Sequence, residues 1–97
     1  MKDKVINWGI IGCGNIANKF AKDLLTVENA TLYAVASRTQ KKADAFALEY
    51  SAKKAYASYE ALAKDKNIDA VYIATPHALH KENTLLCLEH GIAVLCE

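Results

Sequence analysis

The chain has 97 residues, 53% hydrophobic and 24% charged, with a formal net charge of +1. That length allows one domain with a modest core, residues 1–97, and the near-neutral balance argues against a nucleic-acid surface or an acidic tail. No apolar run reaches the roughly 20 residues of a membrane span, and Met1-Lys2-Asp3-Lys4 leads into a strand-like run without a signal-peptide core. Cys13, Cys87 and Cys96 lack CxxC spacing and sit among apolar residues. They read as small buried hydrophobes of a reducing, cytoplasmic compartment.

Residues 5–11 form a dense run rich in β-branched side chains, which predicts a strand buried on both faces. Ile16, Ala17, Phe20, Ala21 and Leu24 then recur at helical steps. Residues 30–36 are a second strand candidate, and Ala43, Phe46, Ala47 and Tyr50 mark a second helical face, with Thr39 as its N-cap. A short strand is expected at 55–57, followed by a brief helix at 59–64 capped by Ser58. Residues 70–74 read as a fourth strand, 79–90 as a helix stopped by Gly91, and 92–96 as a fifth strand. His90 complements the helix dipole, and Tyr50, Tyr56 and Tyr59 are assigned to packing or a rim.

Strands alternating with helices at this spacing predict α/β architecture, a Rossmann-type doubly wound parallel sheet of strand order 3-2-1-4-5. The ligand crevice of such a sheet lies at the carboxyl ends of the first and fourth strands, here beside Gly12 and Thr75.

Gly12-Cys13-Gly14-Asn15-Ile16-Ala17 has the form GxGxxA, between a buried strand and an amphipathic helix. Gly12 permits the tight turn, Gly14 admits a pyrophosphate close to the backbone, and Ala17 lets helix and sheet approach. The first N–H groups of the helix and its positive dipole end then face the phosphates. Cys13 either packs under the turn or feels the helix N-terminus as a thiolate, and packing is the commoner outcome. An NAD site carries an Asp or Glu at the end of its second strand, whereas this one ends Ala36-Ser37-Arg38-Thr39. Ser37 suits a ribose oxygen or a phosphate, Arg38 offers a fork for a 2′-phosphate, and Lys41 or Lys42 adds charge. The expected cofactor is therefore NADP, with NAD as the alternative. His77 and His80 stand three apart with no third ligand nearby, so no metal is expected.

Four segments together resemble one family: WGIIGCGNIA near the start, ASR after the second strand, VYIATPHALH after the fourth, and HGIAVLCE at the end. They are similar to the N-terminal half of the Gfo/Idh/MocA oxidoreductases, named for glucose–fructose oxidoreductase and inositol dehydrogenase. The resemblance implies a pyridine-nucleotide-dependent dehydrogenase acting on sugars, inositols or related polyols. It places pyrophosphate contacts at Gly12, Gly14, Asn15 and Ile16, and adenosine-side contacts at Ser37 and Arg38. Thr75, Pro76 and His77 match the segment along the cofactor, and His80 matches a recurring histidine there. The family usually has Asn at the position of His77. Glu97 matches the Glu of the family's Glu-Lys-Pro motif, near the nicotinamide ribose.

The resemblance further implies that the family's catalytic lysine and its C-terminal α/β substrate domain are absent from these 97 residues. The expected behaviour is cofactor binding without turnover, with apolar surface at 92–95 favouring self-association. A non-catalytic dinucleotide-binding regulatory module is the alternative. A methyltransferase using S-adenosylmethionine is disfavoured, because such sites also tend to want an acidic residue where Arg38 stands.

Overall fold

The computed structural model describes residues 5–96. The elements run β1 (Ile6–Ile11), α1 (Asn15–Leu24), β2 (Ala30–Ala36), α2 (Gln40–Tyr50), β3 (Lys54–Tyr56), α3 (Tyr59–Ala63) and β4 (Ala70–Ile73). A 3-10 turn (His77–Leu79), α4 (His80–Glu89) and β5 (Ala93–Cys96) complete them. Every neighbouring pair of strands is parallel, in the order β3-β2-β1-β4-β5. This is the doubly wound Rossmann topology that the alternation of apolar runs and helical faces predicts.

Alternation along the central strands feeds two cores. Ile10, Val35 and Tyr72 enter the first, closed by Ala17, Ala21 and Leu24 of α1 and by Phe46, Ala47 and Tyr50 of α2. Ile11, Ala36, Val71 and Ile73 enter the second, closed by Leu62 and Ala63 of α3 and by Cys87 of α4. Leu32 and Val35 both belong to the first core although they are an odd number of residues apart. Strict two-residue periodicity forbids that. A bulge resolves it: the β1–β2 register shifts between Trp8 and Gly9, so β2 spends one extra residue, Tyr33, opposite them. Phe20 of α1 stacks on Tyr72 with ring centroids 4.0 Å apart, and Trp8 meets Phe20 edge-on at 5.3 Å. Aromatic pairs of this kind add about 0.5–1.5 kcal/mol each beyond their buried area.

The helices begin and end for local reasons. Thr39 Oγ1 accepts from the Lys42 N–H at 3.3 Å, and Ser58 Oγ accepts from the Ala61 N–H at 3.1 Å, so both expected caps are present. Gly91 stops α4 with φ +75°, and His90 Nδ1 lies 2.9 Å from the Leu86 carbonyl at that helix end. No helix among the described residues is long and apolar enough to cross a membrane.

Several boundaries differ from the sequence expectation. β1 starts at Ile6, one residue late; β3 lies one residue earlier than 55–57; β4 ends at Ile73. The helix expected from residue 79 starts at His80, because residues 77–79 are wound more tightly, and the Leu79 N–H bonds to the Pro76 carbonyl at 2.8 Å. Ile92 was expected on an exposed apolar edge but is only 4% exposed. Its N–H reaches back to the Cys87 carbonyl at 3.0 Å, which turns its side chain into the second core. Of residues 92–95, Leu95 is exposed and Val94 is half-buried.

Since Ser58 holds α3 by one side-chain acceptor, Ser58→Ala is expected to cost about 1 kcal/mol and Ser58→Gly only a few tenths. Urea denaturation of the three proteins, read as midpoint shifts at constant slope, checks this.

Candidate functional site

The site begins where β1 ends. The Gly12 N–H donates to the Ala36 carbonyl at 2.9 Å, and the Ala74 N–H donates to the Ile11 carbonyl at 2.8 Å. The exits of β1, β2 and β4 are thereby tied together. Gly12 has φ +96°, and a Cβ there would stand 3.0 Å from the Ala74 carbonyl carbon and oxygen and 3.1 Å from the Thr75 nitrogen. Both the turn and the approach of β4 exclude a side chain.

Gly14 serves a different purpose. It is the N-cap of α1 in extended conformation, φ −97° and ψ −164°, and a Cβ added to it would meet nothing within 4 Å. The space before it is open. α1 has no side-chain cap, unlike α2 and α3, whose caps are supplied by Thr39 and Ser58, and no acidic residue in its first turn. The first N–H groups of a helix have no partner within it, so α1 presents those donors and the positive end of its dipole to the crevice. An anionic group fits this cradle without any cationic side chain.

The crevice in front of the turn encloses about 960 Å³. Its floor is the turn itself, including Asn15 and Ile16. Ile16, expected on the buried face of α1, is instead 46% exposed and lines the crevice. The β2 exit supplies Ser37 and Arg38, and the β4 exit supplies Thr75, Pro76 and His80. Of the residues singled out from sequence, these nine with Gly12 and Gly14 counted among them share one cavity. The His77 side chain and Glu97 lie outside the described residues.

Ser37 is 7% exposed, and its N–H donates to the Tyr56 carbonyl at 3.1 Å, carrying the β2–β3 pairing one residue past the strand. Arg38 is exposed at the rim. The described lining contains two cations, Arg38 and Lys42, and no carboxylate. Tyr59, set at the start of α3, also lines the crevice beside this positive end. The sequence marks it only as a packing or rim tyrosine, and its position follows from β3 ending next to β2. Tyr56 does not line the cavity; its hydroxyl donates to Asp65 Oδ2 at 2.6 Å.

His80 Nε2 stands 2.8 Å from the Thr75 carbonyl, so the ring N–H donates to it and holds the β4 turn. Thr75 Oγ1 donates to Asn83 Oδ1 at 2.6 Å, in buried surroundings. Asn83 is a residue that motif reasoning passes over, because it lies on the helix beyond the conspicuous ATPHALH segment. A polar residue four positions before Cys87, on the buried face of α4, is the signal that points to it.

Cys13 packs under the turn, its thiol directed at the Ala36 carbonyl 3.6 Å away. Burial pushes its pKa up from 9.0 to about 11, against smaller opposing effects of the Lys42 charge and a hydrogen bond with Ser37. Burial outweighs both, so the thiol is protonated at neutral pH.

A parallel sheet of order 3-2-1-4-5, with a glycine turn at its point of reversal and a helix N-terminus aimed into the crevice, defines a dinucleotide-binding domain of Rossmann type. The family model described as "Oxidoreductase family, NAD-binding Rossmann fold" matches residues 6–97, and the chain belongs to this Gfo/Idh/MocA family. It is 47% identical over 94 residues to the trans-1,2-dihydrobenzene-1,2-diol dehydrogenase of Mus musculus, covering 95% of this chain and 28% of that protein. A scyllo-inositol dehydrogenase from Lactobacillus casei, solved with NAD(H) and scyllo-inositol, has a TM-score of 0.87 at 26% identity over 96% of this chain and 28% of its own. A 3-ketoreductase from Actinomadura kijaniata, solved with NADP, has a TM-score of 0.91 at 31% identity over 96% and 30%. The chain thus spans less than a third of the length of these relatives.

At pH 8 a thiol of pKa about 11 is about a hundredfold poorer in thiolate than one of pKa 9.0. Iodoacetamide labelling of Cys13, followed by peptide mass spectrometry, is expected to be slower than that of an unfolded control by about that factor. Because the folded-state pKa is raised, stability linked to this thiol is complete below about pH 9 and declines as pH rises through about 11. Labelling at the rate of the unfolded control at pH 8 contradicts the raised pKa of this half-buried thiol.

Proposed function

We propose that this chain is the cofactor-binding portion of an NAD(P)-dependent dehydrogenase that prefers NADP and acts on a sugar, an inositol or a related polyol. The observation that carries the preference is the β2 exit. Where an NAD site presents a carboxylate to the adenosine ribose, this crevice presents Ser37 and Arg38, with Lys42 one turn further on. A carboxylate repels a 2′-phosphate, whereas a guanidinium binds it through two parallel hydrogen bonds.

The remaining assignments follow the crevice from end to end. The α1 N-terminus with Gly12, Gly14, Asn15 and Ile16 holds the pyrophosphate. Ser37 and Arg38 take the adenosine side, while Thr75, Pro76, His77 and His80 form the opposite edge. Glu97 is assigned to the nicotinamide ribose by the family motif. When bound, the nicotinamide supplies hydride chemistry; the chain's own residues bind and orient it. The substrate class rests on relatives named for a cyclic diol and an inositol, which share hydroxyl groups on adjacent ring carbons. Among the residues lining the crevice, His80 is committed to the Thr75 carbonyl. The family resemblance assigns the acid–base step to groups elsewhere in the protein, and these 97 residues are expected to bind cofactor without turning over substrate.

Fluorescence titration is expected to show NADPH binding at least tenfold more tightly than NADH, and Arg38→Ala is expected to remove most of that gap. Equal affinities in the unmodified protein count against the NADP preference. Gly14→Ala separates the site from the fold. Its Cβ enters open space, so the unfolding midpoint is expected to change by less than the equivalent of about 1 kcal/mol, while affinity for either nucleotide falls sharply. Retained affinity in Gly14→Ala argues that the pyrophosphate does not lie against this turn.

A further inference from the structure

Thr75 leaves β4 at the edge of the crevice and is held from several directions. Its nitrogen lies against Gly12, at 3.1 Å from where a Cβ would stand. Its carbonyl accepts from His80 at 2.8 Å, and its hydroxyl donates to Asn83 at 2.6 Å. His80 and Asn83 are three residues apart on α4, so both project toward the same turn. Thr75 is 7% exposed and Asn83 is 5% exposed. The Asn83 position would ordinarily be apolar, since the other buried residue of α4 is Cys87, one turn on. Burying an amide costs free energy unless its polar atoms are bonded. Here the Asn83 oxygen is bonded to the β4 turn, not to its own helix.

The bond has a directional consequence. With its hydroxyl committed to Asn83 of α4, the Thr75 side chain is fixed in one orientation at the crevice wall. Pro76 follows with a fixed φ, so the orientation at Thr75 is transmitted directly to the rim. A loose Thr75 would let the rim shift against the glycine turn opposite, and small displacements of a binding wall lower affinity without unfolding the domain.

We propose that Asn83 is a positioning residue for the cofactor crevice, acting through the buried Thr75 hydroxyl to set the β4 wall opposite the Gly12–Gly14 turn. The inference rests on the reading of this crevice as a nicotinamide dinucleotide site.

The test compares the unmodified chain with Asn83→Ala, Thr75→Val, the double variant and Thr75→Ser. NADPH and NADH are titrated well below each unfolding midpoint, and backbone amide exchange is measured without nucleotide. Asn83→Ala and Thr75→Val are each expected to weaken NADPH binding about tenfold, as the loss of a buried hydrogen bond warrants. The double variant is expected to be no weaker than either single one, and Thr75→Ser to recover most of the affinity. Amide exchange is expected to accelerate over residues 74–80 while the amides of β1 and β2 keep their protection, a local change that general loosening does not produce. Additive losses, or Asn83→Ala with unchanged affinity and unchanged exchange at 74–80, overturn the proposal. Should Asn83→Ala fail to fold, the contrast of Thr75→Val with Thr75→Ser decides the same point. If the unmodified chain binds neither nucleotide, the site reading falls, and the exchange data alone then decide whether Asn83 holds the turn.

Discussion

The contact on which the crevice depends is the approach of two backbones at the carboxyl edge of the sheet. Gly12, at φ +96°, lets the chain turn out of β1 while the β4 exit at Ala74 and Thr75 presses within about one Cβ's reach of it. The constraint is steric before it is chemical. Any side chain at residue 12 separates β1 from β4, and that separation displaces the turn that aims α1. The hydrogen bonds from Ala74 to Ile11 and from Gly12 to Ala36 preserve the same geometry on either side. Strand order does the rest. With β2 and β4 flanking β1, connections leave in opposite directions and a cleft must open between them.

The walls of that cleft differ in kind. On the α1 side the binding surface is backbone: glycines, an uncapped helix end and its dipole. On the β2 side it is charge, from Arg38 and Lys42 without a carboxylate. On the β4 side it is a hydrogen-bonded frame in which His80 and Asn83 of α4 hold Thr75. On the proposed reading, each wall suits one part of an elongated anionic ligand: directed N–H groups for phosphates, a guanidinium for an extra phosphate, and a rigid edge to fix the register. Cys13 lies beneath this arrangement as filling, since burial raises its pKa more than the neighbouring Lys42 lowers it.

Much of this was legible from residue order. The faces made by Ala43, Phe46, Ala47 and Tyr50, the caps at Thr39 and Ser58, and the stop at Gly91 are local signals, and each stands in the fold. Places where reading fell short have a common cause. Ile16 has helical spacing with Phe20 but lies one residue before Ala17, about 100° round the helix, and lines the crevice while Ala17 enters the core. Ile92 reads as edge strand yet is buried by a bond back to Cys87. The bulge at Tyr33 has no local signature; it arises because Leu32 and Val35 must reach the same core.

Sequence by itself determined the class of fold, the glycine turn, the absence of a carboxylate after β2 and the membership of the family. All of these depend on residue types at short, fixed separations, where periodicity and turn chemistry act directly. Only the tertiary structure decided which side chains share the crevice and what each does there. Tyr59 joins Arg38 because β3 ends beside β2, and Asn83 reaches Thr75 because α4 folds back along β4. His80 proves to be a donor to the Thr75 carbonyl for the same reason. Such roles are set by distances between elements that packing brings together, and no spacing along the chain encodes them.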